Sequence, residues 1–265
     1  PVGQGIEEWH TYSDSIKHLN ELKVPENRLP AQQYLDPAFA GTLRVSDISF
    51  TYPKEDYPII QNFSLTLKKG QKAALIGPSG AGKSTILQLI LGDLKPNQGT
   101  VTLDHLNVLK LQRERSKLFS VLNQEPFLFN TTIYENLKMA NPDATTDQMM
   151  EILEKVQLAD FVNSLPKGLD TEVAEAGARF SGGQKERLAL ARVLLQDTPI
   201  VLLDEPTVGL DPLTEQKLLN LVFEVLKNKT VVWVTHHLQG VKYMNEVLFF
   251  KDGKITMQGN PHDLF

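Results

Sequence analysis

One glycine-rich segment in the first half of the chain is suited to holding phosphate. Residues 77–84 read Gly-Pro-Ser-Gly-Ala-Gly-Lys-Ser, which fits the pattern G-x-x-x-x-G-K-S/T. The apolar run 73–76 precedes it, and residues 85–91, which contain no Gly or Pro, follow it. The segment is therefore predicted to connect a buried strand to a helix. Glycines let backbone N–H groups turn toward phosphate oxygens, and the helix N-terminus adds its dipole. This setting predicts a nucleoside triphosphate site.

The residues of this loop have separate expected roles. Lys83 is expected to reach the β- and γ-phosphates, and the Ser84 hydroxyl to ligate Mg²⁺. The alternative is a glycine-rich turn that binds nothing, which the lysine and serine in register disfavour. ATP and Mg²⁺ are therefore the predicted ligands. The residues predicted to bind ATP here are Gly77, Pro78, Ser79, Gly80, Ala81, Gly82, Lys83, Ser84 and Thr85.

A second cluster of chemically active residues is a pair of carboxylates. The apolar residues 200–203 are followed by Asp204 and Glu205, as in a buried parallel strand that ends in acidic side chains. Open α/β sheets bind ligands at that edge. Asp204 is suited to hold Mg²⁺ through water, and Glu205 to polarise an attacking water. Taken alone, such a pair is more often solvated surface.

These two features, together with Phe-Ser-Gly-Gly-Gln at residues 180–184, resemble the nucleotide-binding domain of ABC ATPases. The resemblance extends over residues 42–265. It implies an α/β fold with a core α/β subdomain that carries the phosphate loop. It also implies an antiparallel β subdomain and a helical subdomain at about residues 130–180. Period-two alternation in residues 62–67 and the apolar strand patterns near 200–204 and 230–235 agree with this fold class.

The resemblance assigns roles to four further positions. Each has an ordinary structural interpretation by itself, such as an edge-strand aromatic or a histidine at a strand end. In the family order, Tyr52 stacks on adenine, Gln124 senses Mg²⁺ and the γ-phosphate, Asp211 lies in a loop at the dimer interface, and His236 contacts the γ-phosphate. The predicted catalytic residues are then Glu205, His236 and Gln124, and the predicted metal ligands are Ser84, Gln124 and Asp204.

The segment 180–184, here named the signature segment, implies an incomplete site. In this family it completes the site of a second nucleotide-binding domain arranged head to tail, so that two ATP molecules are sandwiched. Its residues are Phe180, Ser181, Gly182, Gly183 and Gln184, with Ser181 predicted to cap a helix over 182–195. Two positions depart from the family pattern. Phe180 replaces the usual Leu and is expected to pack into the domain, and His237 stands where Arg usually follows the histidine.

Other stretches resemble exporters in particular. Residues 124–136 and 171–177 are similar to exporter-type domains, and residues 178–184, 195–200 and 206–212 resemble the CydC subunit of the CydDC family. Members of that family are heterodimeric bacterial exporters tied to cytochrome bd assembly and to cysteine or glutathione export. The resemblance implies a CydD-like partner. An importer ATPase subunit and a soluble ABC ATPase acting on DNA or ribosomes are the alternatives.

The N-terminal region differs from the rest. Residues 1–23 carry apolar side chains at steps of three and four, which predicts the end of a transmembrane-domain helix or an independent amphipathic helix. Residues 24–41 contain three prolines and no periodic pattern, so they are predicted to be a linker. The chain begins with Pro1, which is expected of a piece of a longer polypeptide that includes the membrane part.

Composition narrows the functional classes. The 265 residues are 41% hydrophobic and 22% charged, as in a soluble globular domain. A net charge of −5 argues against nucleic acid as a partner. There are no cysteines, hence no disulfide or thiol chemistry, which agrees with a reducing compartment. No apolar run approaches the roughly 18 residues of a membrane span. We expect a soluble fragment that works at the cytoplasmic face of a bacterial membrane.

Overall fold

The computed structural model describes residues 39–78, 82–123, 126–176, 180, 183–205 and 210–265. The predicted membrane-helix end at 1–23 and nearly all of the predicted linker at 24–41 lie outside these residues. Within the described ranges, no helix is both long enough and apolar enough to span a membrane.

The strands of the described part form two sheets. In chain order they are β1 (Leu43–Phe50), β2 (Ile60–Leu67), β3 (Lys72–Ile76), β4 (Gln98–Leu103), β5 (Leu106–Asn107), β6 (Phe119–Leu122), β7 (Ile200–Asp204), β8 (Thr230–Thr235), β9 (Glu246–Lys251) and β10 (Lys254–Gly259). One sheet is antiparallel with the order β2-β1-β4-β5, and the other is mixed with the order β10-β9-β3-β8-β7-β6.

Helices fill the connections between the strands. In chain order they are α1 (Lys83–Ile90), α2 (Arg115–Leu118), α3 (Ile133–Ala140), α4 (Thr146–Lys155), α5 (Ala159–Ser164), α6 (Val173–Ala176), α7 (Gln184–Gln196), α8 (Pro212–Val225) and α9 (Pro261–Leu264). Single 3₁₀ turns lie at Val108–Lys110, Gln112–Glu114, Gly168–Asp170 and Val241–Tyr243. The predicted fold class is confirmed: a core α/β sheet, an antiparallel β part and helices between residues 133 and 176.

The register of the mixed sheet decides where its functional loops emerge. Strands β3, β8, β7 and β6 are parallel neighbours, and β9 is parallel to β3 on the other side. Ile76 at the end of β3 is opposite Thr235 at the end of β8, and Asp204 at the end of β7 is opposite Val234. The carboxyl ends of these strands therefore meet at one edge of the sheet, where open α/β folds bind ligands.

The mixed sheet is buried on both faces, as its apolar parallel strands require. Along β3, side chains alternate between two cores: Ala74 and Ile76 pack with the helices that include α3 and α7, while Ala73 and Leu75 pack with α1 and the antiparallel sheet. Burying a large aliphatic side chain such as Leu75 or Ile76 stabilises the fold by roughly 1.5–3 kcal/mol. Burial on both faces makes β3 a rigid base for the loop that follows it.

One predicted helix boundary is wrong. Helix α7 begins at Gln184, and its N-cap is Gly183, with a φ of 85° and no capping side chain. Ser181, the predicted cap, lies outside the described residues. The physical reason for the different boundary is that Gly183 adopts the left-handed conformation, which glycine tolerates without the steric penalty of a Cβ. The chain turns there, two residues later than the residue pattern suggested.

Candidate active site

The glycine-rich loop leaves β3 under tight constraints. The Gly77 N–H donates a hydrogen bond to the carbonyl of Thr235, 3.3 Å away. A Cβ at Gly77 would overlap the carbonyl oxygen of Phe250 on β9, so only glycine fits there. At the other end, Gly82 is the N-cap of α1 with a φ of 95°. Pro78 lies exposed between these two glycines, while Ser79, Gly80 and Ala81 lie outside the described residues.

Lys83, the first residue of α1, points back toward the carboxyl ends of β3 and β8 and is almost fully buried. Its ammonium group donates to the carbonyl of Gly77 and, at 3.4 Å, to the carbonyl of Thr235. The Nζ atom is also 3.9 Å from the Glu205 Oε1 atom. Burial lowers the pKa of Lys83, while the charges of Glu205 and Asp204 act to raise it. The lysine is therefore a buried cation held next to two carboxylates.

Asp204 lies at the last position of β7 and faces the first turn of α1. Its side chain accepts a hydrogen bond from the Ser84 hydroxyl. Burial raises the pKa of Asp204, and the neighbouring charge of Glu205 raises it further, against the opposing effects of Lys83 and Ser84. This carboxylate is therefore partly buried between one like charge and one opposite charge.

Glu205 follows directly and turns out of the strand. Its φ is 43°, in the left-handed region that non-glycine residues rarely adopt. Its N–H donates to the carbonyl of Val234 at 2.9 Å, which holds the backbone against β8. The Glu205 side chain is only 12% exposed. Such local strain is often found where a side chain must be aimed at a reacting group.

Of the two adjacent histidines, His236 is the one that reaches Glu205. Its Nδ1 atom shares a hydrogen bond with the Glu205 Oε1 atom. The rings of His236 and His237 lie 3.9 Å apart at 40°. The His237 N–H donates to the Thr235 hydroxyl at 3.1 Å, so the last residue of β8 fixes the turn that follows this strand. His236 is the better exposed of the two side chains.

Tyr52, the predicted adenine platform, lies just after β1. Its ring packs edge-on against Phe50, with ring centroids 4.8 Å apart at 81°. Its hydroxyl is 2.8 Å from the Thr85 Oγ1 atom in the first turn of α1. The antiparallel sheet thus places this ring beside the helix that begins with Lys83.

The described residues of the signature segment lie against a different part of the domain. The ring of Phe180 is 5.5 Å from the ring of Phe161 and packs on the helical core, as expected for a bulky replacement of Leu. A Cβ on Gly183 would lie 3.5 Å from Thr214 Cγ2, near the start of α8. Ser181 and Gly182 lie outside the described residues.

Asp211, predicted to lie at a dimer interface, is the N-cap of α8. It accepts hydrogen bonds from the N–H of Thr214 at 3.0 Å and from its hydroxyl at 2.6 Å. These hydrogen bonds lower the pKa of Asp211, the hydroxyl contact most of all. A structural role at the start of α8 therefore accompanies any role at an interface.

Comparison with known proteins assigns this arrangement to a family. The family model described as ABC transporter matches residues 60–208, more than half of the chain. The chain belongs to the ABC transporter family. Within it, the chain is an ATP-binding domain of the exporter type, in agreement with the relatives described next.

Two ABC relatives match over essentially the full chain. The glutathione/L-cysteine transport system ATP-binding/permease protein CydD of Bacillus subtilis is 44% identical over 100% of this chain and 46% of its own length. The protein CydC of the corresponding Escherichia coli system is 37% identical over 99% of this chain and 45% of its own length. The chain thus spans about half the length of these curated relatives.

Other members of the ABC family are similar to a comparable degree. The mitochondrial iron-sulfur clusters transporter ATM1 of Kluyveromyces lactis is 38% identical over 84% of the chain and 32% of its own length. The structure of a bacterial Atm1-family ABC exporter with ATP bound matches with a TM-score of 0.77 at 30% identity, covering 91% of this chain and 41% of that one.

The structure brings most of the described candidates of this ABC domain together. Lys83, Ser84, Asp204, Glu205 and His236 form one connected group at the edge of the mixed sheet. Tyr52 joins this group through Thr85. Gln124 lies outside the described residues.

The sequence analysis did not predict that Thr235 helps to hold the site together. Its carbonyl accepts hydrogen bonds from Gly77 and Lys83, and its hydroxyl accepts one from His237. The available signal was that Thr235 ends an apolar strand immediately before the candidate histidine. It also missed Arg192, which donates to the carbonyl of Phe127 at 2.9 Å and lies over the ring of Phe129.

Proposed function

We propose that the chain is the ATP-hydrolysing domain of one half of a heterodimeric thiol exporter, and that it powers export by ATP-driven pairing with a second nucleotide-binding domain. One observation carries the ATPase part. A buried lysine, a serine hydroxyl, two carboxylates and a histidine are connected at one edge of the sheet, next to a glycine-rich loop. Such a group can bind a triphosphate and activate water.

The described residues fit a divalent cation beside the triphosphate. The Ser84 hydroxyl and the Asp204 carboxylate already contact each other at the mouth of the loop, and oxygen atoms are the ligands that Mg²⁺ prefers. Burial, and then the charge of Glu205, raise the pKa of Asp204, and a bound cation would oppose both effects. Ser84, Asp204 and Gln124 would hold Mg²⁺, with Asp204 acting through water. The bound cation would neutralise charge on the β- and γ-phosphates.

The roles of the protein side chains follow from their positions. Lys83 would exchange its contact with Glu205 for the β- and γ-phosphates, since both bind the same ammonium group. Glu205 would then accept the proton of the attacking water, with His236 orienting the carboxylate through the shared hydrogen bond. Tyr52 would stack on adenine, a contact worth roughly 1–3 kcal/mol by analogy with nucleic-acid bases.

The second domain is needed because the signature segment belongs to the opposite site. The start of α7 adjoins α8 through Gly183 and Thr214, while the loop after β3 is held by β8 and β9. In the proposed head-to-tail pair, the signature segment of one domain meets the ATP held by the loop of the other. ATP favours the closed pair and hydrolysis reopens it, which is a ligand-driven population shift.

Similarity to the two glutathione/L-cysteine transport relatives supports the thiol cargo and the pairing. The motifs after residue 178 favour a CydC-type half with a CydD-type partner, whereas the higher identity to the Bacillus subtilis protein favours the reverse assignment. We further propose that residues 1–23 end a membrane helix of the same longer polypeptide, that 24–41 link it to a domain at 42–265, and that the domain works at the cytoplasmic face of the membrane.

The test of the ATPase proposal is the dependence of ATP hydrolysis on protein concentration. Because two chains must meet to complete one site, the rate of phosphate release should rise faster than linearly with concentration in the micromolar range. Ser181→Arg should abolish this activity without weakening ATP binding to the monomer. A rate proportional to concentration and indifferent to Ser181→Arg would show that one chain holds the whole site.

The test of the exporter assignment uses the longer polypeptide. It should be co-expressed with a CydC-type or a CydD-type half and assayed for ATP-dependent movement of labelled glutathione and cysteine into inverted vesicles. If transport occurs with only one of the two partners, this chain is the half of the other type. Transport that requires an external binding protein would favour an importer, and activity that requires no membrane subunit would favour a soluble ABC ATPase.

A further inference from the structure

The hydroxyl of Tyr52 has a protein partner that its stacking role does not explain. A ring that only stacks needs no polar group, yet this hydroxyl is 2.8 Å from the Thr85 Oγ1 atom. Thr85 is buried, and it lies in α1 two residues after Lys83 and one after Ser84. The hydrogen bond therefore joins the predicted base platform to the first turn of the predicted phosphate-binding helix.

The rest of the Tyr52 surroundings holds only the near end of the residue. The N–H of Thr51 donates to the Asn97 side chain at 2.7 Å, which fixes the backbone just before Tyr52. Pro53 restricts Tyr52 to extended conformations. The ring edge rests on Phe50. These contacts leave rotation of the half-exposed ring open, and the hydroxyl contact with Thr85 is what fixes its far end.

We propose that Thr85 is a positioning residue that holds the Tyr52 ring ready to receive the base of a nucleotide. This inference rests on the proposed ATP site and deepens it, since it separates recognition of the base from recognition of the phosphates. A ring that is already fixed loses less conformational freedom when the base binds, which raises affinity without a new contact. The Thr85 hydroxyl thereby acts on the base through Tyr52, although it lies on the phosphate side.

The experiment compares a ligand with a base and a ligand without one. Titration calorimetry of the 265-residue chain would use MgATP and magnesium tripolyphosphate, with Tyr52→Phe, Thr85→Val, the double variant and Thr85→Ser. Tyr52→Phe keeps the stacking ring, Thr85→Val keeps the shape of the buried side chain, and Thr85→Ser keeps the hydroxyl. Thermal melting of each nucleotide-free variant checks the fold.

The expected result is a shared loss that is specific to the base. Tyr52→Phe and Thr85→Val should each weaken ATP binding about three- to tenfold, in line with one neutral hydrogen bond. The double variant should lose no more than either single variant, because both changes remove the same bond. Thr85→Ser should restore most of the ATP affinity that Thr85→Val loses. Tripolyphosphate affinity should be unchanged in Tyr52→Phe and should fall less than ATP affinity in Thr85→Val.

Three results would overturn the inference. Thr85→Val would weaken tripolyphosphate as much as ATP if the hydroxyl served the phosphates directly. Tyr52→Phe would bind ATP like the parent if the hydrogen bond had no effect on the ring. The two losses would add in the double variant if the residues acted independently. Failure of the parent chain to bind ATP at all would instead refute the proposed function, which distinguishes the two failures.

Discussion

Replacing Glu205 by Gln separates the chemistry of the site from its binding of nucleotide. The substitution keeps the size of the side chain and removes its charge. A positioned general base contributes about 10²–10⁴-fold to a rate, so the barrier to hydrolysis should rise by about 3–5 kcal/mol. Binding should respond differently. At 3.9 Å, the attraction between Glu205 and Lys83 is about 4 kcal/mol at an effective dielectric constant of 20, before desolvation is counted. Removing this competitor for the ammonium group should leave ATP affinity unchanged or increase it.

Two assays on the same variant test this reasoning. Phosphate release by the assembled pair of domains should fall at least a hundredfold, while sedimentation in the presence of ATP should show a persistent closed pair. Glu224→Gln is the matched control. This substitution makes the same chemical change away from the site, because Glu224 is exposed on the last turn of α8. Hydrolysis within a few-fold of the parent would transfer the role of base to another group, with His236 the next candidate. Loss of ATP binding would refute the competition between Glu205 and phosphate.

Two further substitutions test single features of the domain. Lys83→Ala should weaken MgATP binding about ten- to a hundredfold, the range for hydrogen bonds to charged groups. Lys72→Met is the control: it should lower the melting temperature and leave ATP affinity unchanged, since Lys72 donates to carbonyls of residues 70, 227 and 229 at the far end of β3. Equal ATP affinity of the two variants would refute the Lys83 assignment. Asp211→Ala should lower the melting temperature at neutral pH and Asp211→Asn should lower it less, because both Asp and Asn cap helices. Because hydrogen bonds lower the pKa of Asp211 in the folded chain, its stabilisation is present above the ordinary Asp value of about 3.9 and is lost as the pH falls through the lower folded value. The difference in melting temperature between the parent and Asp211→Ala should therefore shrink in acid, and a constant difference would contradict the cap.

Much of the fold and of the candidate site was predictable because the signals are local. The glycine-rich loop lies between an apolar run and a segment without Gly or Pro. In the structure the apolar run is β3, and the segment after the loop belongs to α1. The same holds for β7, whose four apolar residues lead into Asp204. Parallel strands buried on both faces leave few polar positions, so polar residues at their carboxyl ends stand out in the sequence. These residues meet because the strands share one register.

Contacts between distant elements were not predictable in this way. The Tyr52 hydroxyl and Thr85 are 33 positions apart, and their contact depends on how the antiparallel sheet packs against α1. The contact between Glu205 and His236 requires β7 and β8 to be neighbours, which their order along the chain leaves open. Ser181 was assigned to a cap from residue type alone. The left-handed conformation of Gly183 moves the helix start. Residue type alone cannot show which of several neighbouring glycines adopts this conformation, because every glycine tolerates it.

In the proposed mechanism, the connected group at the sheet edge links nucleotide binding to hydrolysis. Lys83 contacts two backbone carbonyls and Glu205, and Glu205 in turn contacts His236. A phosphate that takes over Lys83 removes the main positive charge from beside Glu205. In the proposed mechanism, arrival of the γ-phosphate would therefore both fill the site and free Glu205 from Lys83, and the hydrogen bond to His236 would keep that carboxylate in place.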